Sequence, residues 1–239
     1  MAYSDIVSAI LLDIEGTTTP VSFVFDVLFP FAKENVESFL QNNGNDDAVK
    51  ADLRLLKKEY DQETFSPELP AWESSEPTAA VPYIYYLIFI DRKSTGLKSL
   101  QGKIWNQGYE SGELQSQLFP DVKPAFDRWQ AAQKAIYIFS SGSVQAQKLI
   151  FRYSPEGDLT PYISGYFDTT TGPKREVESY RTIAAKIGVK PSQLLFISDV
   201  VAELHPANTA GCQTLFSLRP GNHSSDSEGF RTIKTFDNV

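Results

Sequence analysis

Apolar residues run almost unbroken through three stretches of the chain: Ile6 to Leu12, Ala135 to Phe139 and Leu194 to Ile197. Short runs without polar alternation predict strands buried on both faces of a parallel sheet. A helical period flanks them. Ala125, Phe126 and Trp129 precede the second run, and Ile183, Ala184 and Ile187 precede the third, with Gly188 placed to stop that helix. Further short strands are predicted at Tyr166 to Asp168 and Gln213 to Ser217. Strand and helix in alternation specify an α/β fold with a doubly wound parallel sheet.

More than a hundred residues separate the first two runs, and their pattern differs. Val36, Phe39 and Leu40 make one helical stripe, Val49, Leu53, Leu56 and Tyr60 a second, and Leu97, Leu100, Ile104 and Trp105 a third. Glu63 to Thr78, rich in Pro, Glu and Ser, predicts an exposed loop. The run PYIYYLIFID has strand-like residues, but its helical neighbours favour a helix. The expected division is an α/β core from residues 1–20 and 118–239, with a mainly helical cap inserted at 21–117. No internal repeat interrupts this plan.

Composition narrows the function classes. With 41% hydrophobic and 22% charged residues the balance is that of an ordinary globular protein. A net charge of -8 and a pI near 4.9 argue against general nucleic-acid or anionic-membrane binding. A small anionic substrate stays open, because a metal ion or lysine reverses the field inside a pocket. The single cysteine, Cys212, removes any disulfide framework or cysteine-built metal site and makes a reducing compartment the default. The N-terminus lacks a basic n-region and meets Asp13 early, and Val81 to Ile90 is too short to span a bilayer. A cytoplasmic protein is expected, with the nucleus not excluded.

The first run ends in LLDIEGTTTP, where Asp13 and Glu15 project to the same side of an extended chain. A carboxylate at a strand end can attack phosphorus, and a second can protonate the leaving oxygen and then activate water. Such chemistry calls for Mg²⁺ on oxygen ligands. Alone, an acidic pair of this kind is more simply a decorated turn. The other strand ends shift that balance. Ser140-Ser141-Gly142-Ser143 offers hydroxyls and backbone N–H groups at a helix start, a natural anion site. Ser198, Asp199 and Glu203 add oxygen ligands suited to a Mg²⁺ shell, and Lys174 and Arg175 add cations for a phosphoryl group. Polar chemistry gathered beyond the C-terminal ends of strands is where open α/β sheets bind ligands.

In this chain order the four elements resemble the haloacid dehalogenase superfamily of phosphatases. By that resemblance Asp13 is the nucleophile and a Mg²⁺ ligand, Ser140 or Ser141 the phosphate-binding hydroxyl, and Asp199 a metal ligand. Lys174 matches the phosphate-clamping lysine, although Arg175 could serve chemically. The superfamily pattern has Asp where this chain has Glu15, whose backbone carbonyl is a further metal ligand in that pattern. The longer Glu marks a distinct branch. LLDIEGTTTP, F-x-x-x-V-LFPF, SSGSVQAQKL and ESYR-x-IA resemble the enolase-phosphatase E1 family, from about Ile10 to Gly221.

That resemblance implies a haloacid-dehalogenase-like core and a monomer holding one Mg²⁺. It implies that 2,3-diketo-5-methylthiopentyl-1-phosphate, in methionine salvage, is enolised and then dephosphorylated to an aci-reductone through an aspartyl-phosphate. Glu15 is expected to handle protons while the cap closes over the substrate. Two other readings remain: another small-metabolite phosphatase of the superfamily, or a binding protein on a retired catalytic fold. His205 and His223 lack partners at metal spacing and are expected to be structural or exposed. Cys212 is expected as a buried small hydrophobe and the tyrosines of YIYYLIFI as cap core. Phe23 and Phe29 are expected in the core, with contact to a methylthio tail as the alternative.

Overall fold

The computed structural model describes residues 6–64, 68–90, 92, 94–222 and 226–239, so His223 lies outside the described residues. The chain divides into two units, Met1–Phe25 with Gln115–Val239, and Asp26–Leu114. The strands are β1 (Ala9–Leu12), β2 (Ala135–Phe139), β3 (Ile163–Phe167), β4 (Leu194–Ser198), β5 (Gln213–Ser217) and β6 (Thr232–Ile233). The helices are α1 (Phe29–Asn43), α2 (Asp47–Tyr60), α3 (Val81–Phe89), α4 (Thr95–Ser111), α5 (Val122–Ala131), α6 (Val144–Arg152), α7 (Val177–Ile187) and α8 (Val201–Thr209).

In the first unit all six strands pair in parallel, in the order β3-β2-β1-β4-β5-β6. The most apolar strand is therefore interior: Leu11 lies between Tyr137 and Phe196. Its alternate residues bury opposite faces, which accounts for the unbroken apolar run. Ala9 and Leu11 join Tyr180, Ile183 and Leu204 in a core built with α7 and α8. Helix α5 packs on β2, and α6 packs on β3.

The ladder begins at Ala9 rather than at Ile6, which is 65% exposed. Both neighbouring strands start opposite Ala9, and the last backbone bonds before it are those of Ser8, which donates to the Gln193 carbonyl and accepts from the Ala135 N–H, each at 3.0 Å. The third strand is Ile163–Phe167 and excludes Asp168. That carboxylate instead accepts from the Thr170 N–H at 2.9 Å and closes its own turn.

The second unit is helical, and PYIYYLIF falls in α3, with Ile84 and Leu87 buried, while Asp91 lies outside the described residues. Helix α4 starts at Ser94, whose hydroxyl accepts from the Leu97 N–H at 3.2 Å, and ends at Gly112 with φ of 79°. It lies close against α2: a Cβ added at Gly96 would sit 3.0 Å from the Asp52 carbonyl. On α2 the apolar stripe is interrupted by a buried Asp52, which meets Lys103 of α4 at 2.5 Å. Tyr83 is buried and stacks edge-on against Tyr60 at 5.1 Å. Phe23 is buried in the first unit, and Phe29 packs on Trp105 in the second at 6.0 Å.

Candidate active site

Asp13 extends the β1–β4 pairing by one step, its N–H donating to the Ile197 carbonyl at 3.0 Å. The chain then turns sharply. The N–H groups of Thr17, Thr18 and Thr19 all donate to the Ile14 carbonyl, at 3.1, 2.9 and 3.0 Å. The three threonines are fully buried, so the Gly-Thr-Thr-Thr stretch is a packed turn and not a surface loop. It fixes the directions in which Asp13 and Glu15 leave the backbone.

The Asp13 carboxylate is 2% exposed. Its Oδ1 accepts from the Ile14 N–H at 2.8 Å and lies 2.7 Å from the Lys174 ammonium. Its Oδ2 and Glu203 Oε2 each lie 3.0 Å from the Ser198 hydroxyl, which has one proton to donate to either. Lys174 also contacts Glu203, at 2.6 Å. Burial alone would lower the Lys174 pKa, but the Asp13 and Glu203 carboxylates outweigh it and hold the ammonium above its usual value. Its backbone is fixed too: buried Tyr180 donates its hydroxyl to the Lys174 carbonyl at 2.6 Å. Arg175, the neighbouring cation, points to solvent as an exposed residue.

Ser140 follows β2 and is buried; its Oγ accepts from the Gly142 N–H at 3.1 Å, and the hydroxyl is close enough to Glu15 to favour its charged form. Ser141 is partly exposed in the same loop. Ser143 caps α6 by accepting from the Ala146 N–H at 3.3 Å. Burial, then the nearby Asp13 charge, raise the Glu15 pKa above the ordinary carboxylate value. Asp199 follows β4, and burial with the Asp13 and Glu203 charges pushes its pKa up to about 8. Asp13, Glu15, Ser140, Lys174 and Asp199 thus share one end of the sheet, beyond the strands' C-terminal ends.

A hard divalent cation suits this donor set. The donors are oxygens, and four carboxylates share Lys174 as their counter-charge. Among the described residues no three His, Cys, Asp or Glu side chains form a ready-made ligand cluster.

Residues 7–211 match the family of haloacid dehalogenase-like hydrolases. An enolase-phosphatase E1 of Synechococcus elongatus is 61% identical over 233 residues, 98% of each chain. This chain belongs to the enolase-phosphatase E1 family of haloacid dehalogenase-like hydrolases. Among proteins similar to this family member, the UTR4 protein of Saccharomyces cerevisiae has a crystal structure with a TM-score of 0.80 and 35% identity, matching 98% of this chain and all of that one. A protein of Oryza sativa named "Probable bifunctional methylthioribulose-1-phosphate dehydratase/enolase-phosphatase E1" is 44% identical over 96% of this chain, which spans 46% of its length.

Several residues around this enolase-phosphatase E1 family site carry no local signal. Gln147 donates through one amide to the Gly142 carbonyl at 2.9 Å and the Phe167 carbonyl at 2.8 Å, tying the serine loop to the end of β3. Glu203 was legible as a carboxylate near a strand end, but its pairing with Lys174 was not. Of the remaining candidates, His205 is exposed and pairs with Glu228 at 2.7 Å, while Cys212 is buried just before β5. Burial pushes that thiol's pKa up to about 11.

Proposed function

We propose that the chain is a Mg²⁺-dependent enolase-phosphatase that converts 2,3-diketo-5-methylthiopentyl-1-phosphate to 1,2-dihydroxy-3-keto-5-methylthiopentene and phosphate. The observation that carries this is the Asp13–Lys174 contact of 2.7 Å, with Glu15, whose pKa burial raises, in the field of both. The names of its relatives supply the reaction, and the rice protein's name couples it to a dehydratase acting on a methylthio sugar phosphate.

Lys174 and the hydroxyls of Ser140 and Ser141 bind the phosphate. In the enolisation, a proton leaves the phosphate-bearing carbon and the adjacent carbonyl oxygen gains one, with Glu15 as the acid/base. An Asp13 oxygen then bonds to phosphorus as the bond from phosphorus to the enol oxygen breaks. Glu15 gives that leaving oxygen its proton, a role that its raised pKa favours. Water next attacks the aspartyl-phosphate and passes a proton to Glu15, which frees phosphate and restores Asp13. Asp13, Asp199 and the Glu15 backbone carbonyl would hold the Mg²⁺. When bound, the ion supplies positive charge for the enolate and phosphoryl oxygens. A monomer in the cytoplasm, with entry to the nucleus open, completes the reading.

The test follows phosphate release and enol absorbance together, with Mg²⁺ and with chelator, in the unaltered protein and in Glu15→Gln. Metal-dependent release with a transient enol, both slowed by Glu15→Gln, is expected. Release with no enol would leave an ordinary phosphatase, and normal rates in Glu15→Gln would remove its acid/base role. No release at all would overturn the substrate.

A further inference from the structure

From the last residue of β5 onward, the segment Ser217-Leu218-Arg219-Pro220-Gly221-Asn222 sends three side chains back to the turn after β1. The Ser217 hydroxyl and the Asn222 amide both donate to the Gly16 carbonyl, at 3.2 and 2.9 Å. Arg219 Nε donates to the next carbonyl, that of Thr17, at 3.1 Å. The Gly16 N–H is held as well, donating to Thr19 at 2.8 Å. Both peptide groups of Gly16 are therefore pinned.

Gly16 needs this grip because of where it sits. Its φ of 68° is in the left-handed region, and a Cβ there would come within 2.1 Å of Asp199 Oδ2 and 2.9 Å of Asn222 Nδ2. The residue is wedged between the β4 carboxylate and the β5 loop, one step along the chain from Glu15. Arg219 is in turn anchored. It reaches Asp121 with contacts of 3.0 and 2.8 Å, and its guanidinium lies between the Phe119 and Phe236 rings at 4.7 and 4.2 Å. None of the three clamp side chains contacts Asp13 or Lys174 among the described interactions, so any effect on chemistry passes through the turn.

We propose that Ser217, Arg219 and Asn222 are positioning residues that grip the Gly16 and Thr17 carbonyls and so hold Glu15 where it can transfer protons. This rests on the acid/base role given to Glu15 above. Small displacements of a proton-transfer group are costly, so loosening the turn lowers kcat more than it weakens binding.

A double-mutant cycle tests it, with phosphate release from 2,3-diketo-5-methylthiopentyl-1-phosphate as the readout. Asn222→Ala should lower kcat about tenfold, with KM within about twofold and an unchanged fold by circular dichroism. Asn222→Asp, which sets an acceptor against the Gly16 carbonyl, should lose more. In the Glu15→Gln background, Asn222→Ala should cost less than about twofold, because the group it positions is already gone. Equal losses in both backgrounds, or an unaltered kcat in Asn222→Ala, would overturn the clamp while leaving the reaction standing. An unaltered chain that ignores the substrate would overturn the reaction itself, and the positioning role with it. Should Arg219→Ala fail to fold, the Asn222 cycle still decides.

Discussion

Among the described residues, the partly buried Lys103 and the buried Lys174 each meet a buried carboxylate, and they differ in how the charges add up. In the helical unit, Lys103 faces Asp52 at 2.5 Å and the Ser99 hydroxyl at 2.9 Å. One positive charge meets one negative charge, and a hydroxyl takes a spare proton. In the sheet unit, Lys174 meets Asp13 and Glu203, while Glu15 and Asp199 lie in the same field. The first arrangement is what a fold needs to bury a polar contact between helices. The second leaves like charges crowded, which raises the pKa of Glu15, Asp199 and Glu203, with burial as the largest cause. Folding alone gives no reason to collect such repulsion; a site that must receive a phosphate and a cation does.

The contrast can be broken most severely at Asp13. Asp13→Asn should cut phosphate release by about ten-thousandfold, because the nucleophile is gone while the packed turn remains. Lys174→Met should cost about a thousandfold in kcat and also lower Tm, since the carboxylates lose their shared counter-charge. Asp199→Asn, checked by the same assay with a Mg²⁺ titration, should cost about a hundredfold and raise the metal needed for half-activity. Its melting temperature should not fall, most clearly above about pH 8, where the substitution removes a repelling charge. Asp52→Asn should do the reverse. With Lys103 still partly open to water, about 1–2 kcal/mol should be lost, which lowers Tm by about 2–8 °C. Its kcat/KM should stay within about twofold. If Asp199→Asn destabilises as much as Asp52→Asn, the distinction between the two lysines fails.

What the sequence revealed follows from what is local in the chain. The doubly buried strands announced themselves because Ile10, Leu11 and Leu12 face different layers yet are all apolar. Candidate chemistry was legible because Asp13, Ser140 and Asp199 each stand just past such a run. The helix at Val81–Phe89 was decided by its neighbours more than by its own aromatic residues. Asp52 carried no signal of its partner: it stands three residues after Val49 and four before Leu56, on the apolar face, and only Lys103 on α4 accounts for a carboxylate there. Arg219 and Asn222 were invisible for a similar reason. Their acceptors lie more than two hundred residues earlier, at Thr17 and Gly16, and no spacing encodes that approach. Gln147 sits among helical residues as an ordinary polar position, although its amide ties two strand ends together.

The central claim is that the crowded carboxylates serve a phosphoryl transfer to Asp13. Acid quenching during turnover, followed by borohydride reduction and peptide sequencing, tests it most directly, because an acyl-phosphate is reduced and leaves homoserine in place of aspartate. The account predicts homoserine at position 13 and at no other carboxylate. Homoserine elsewhere, or steady phosphate release with none at position 13, would contradict it.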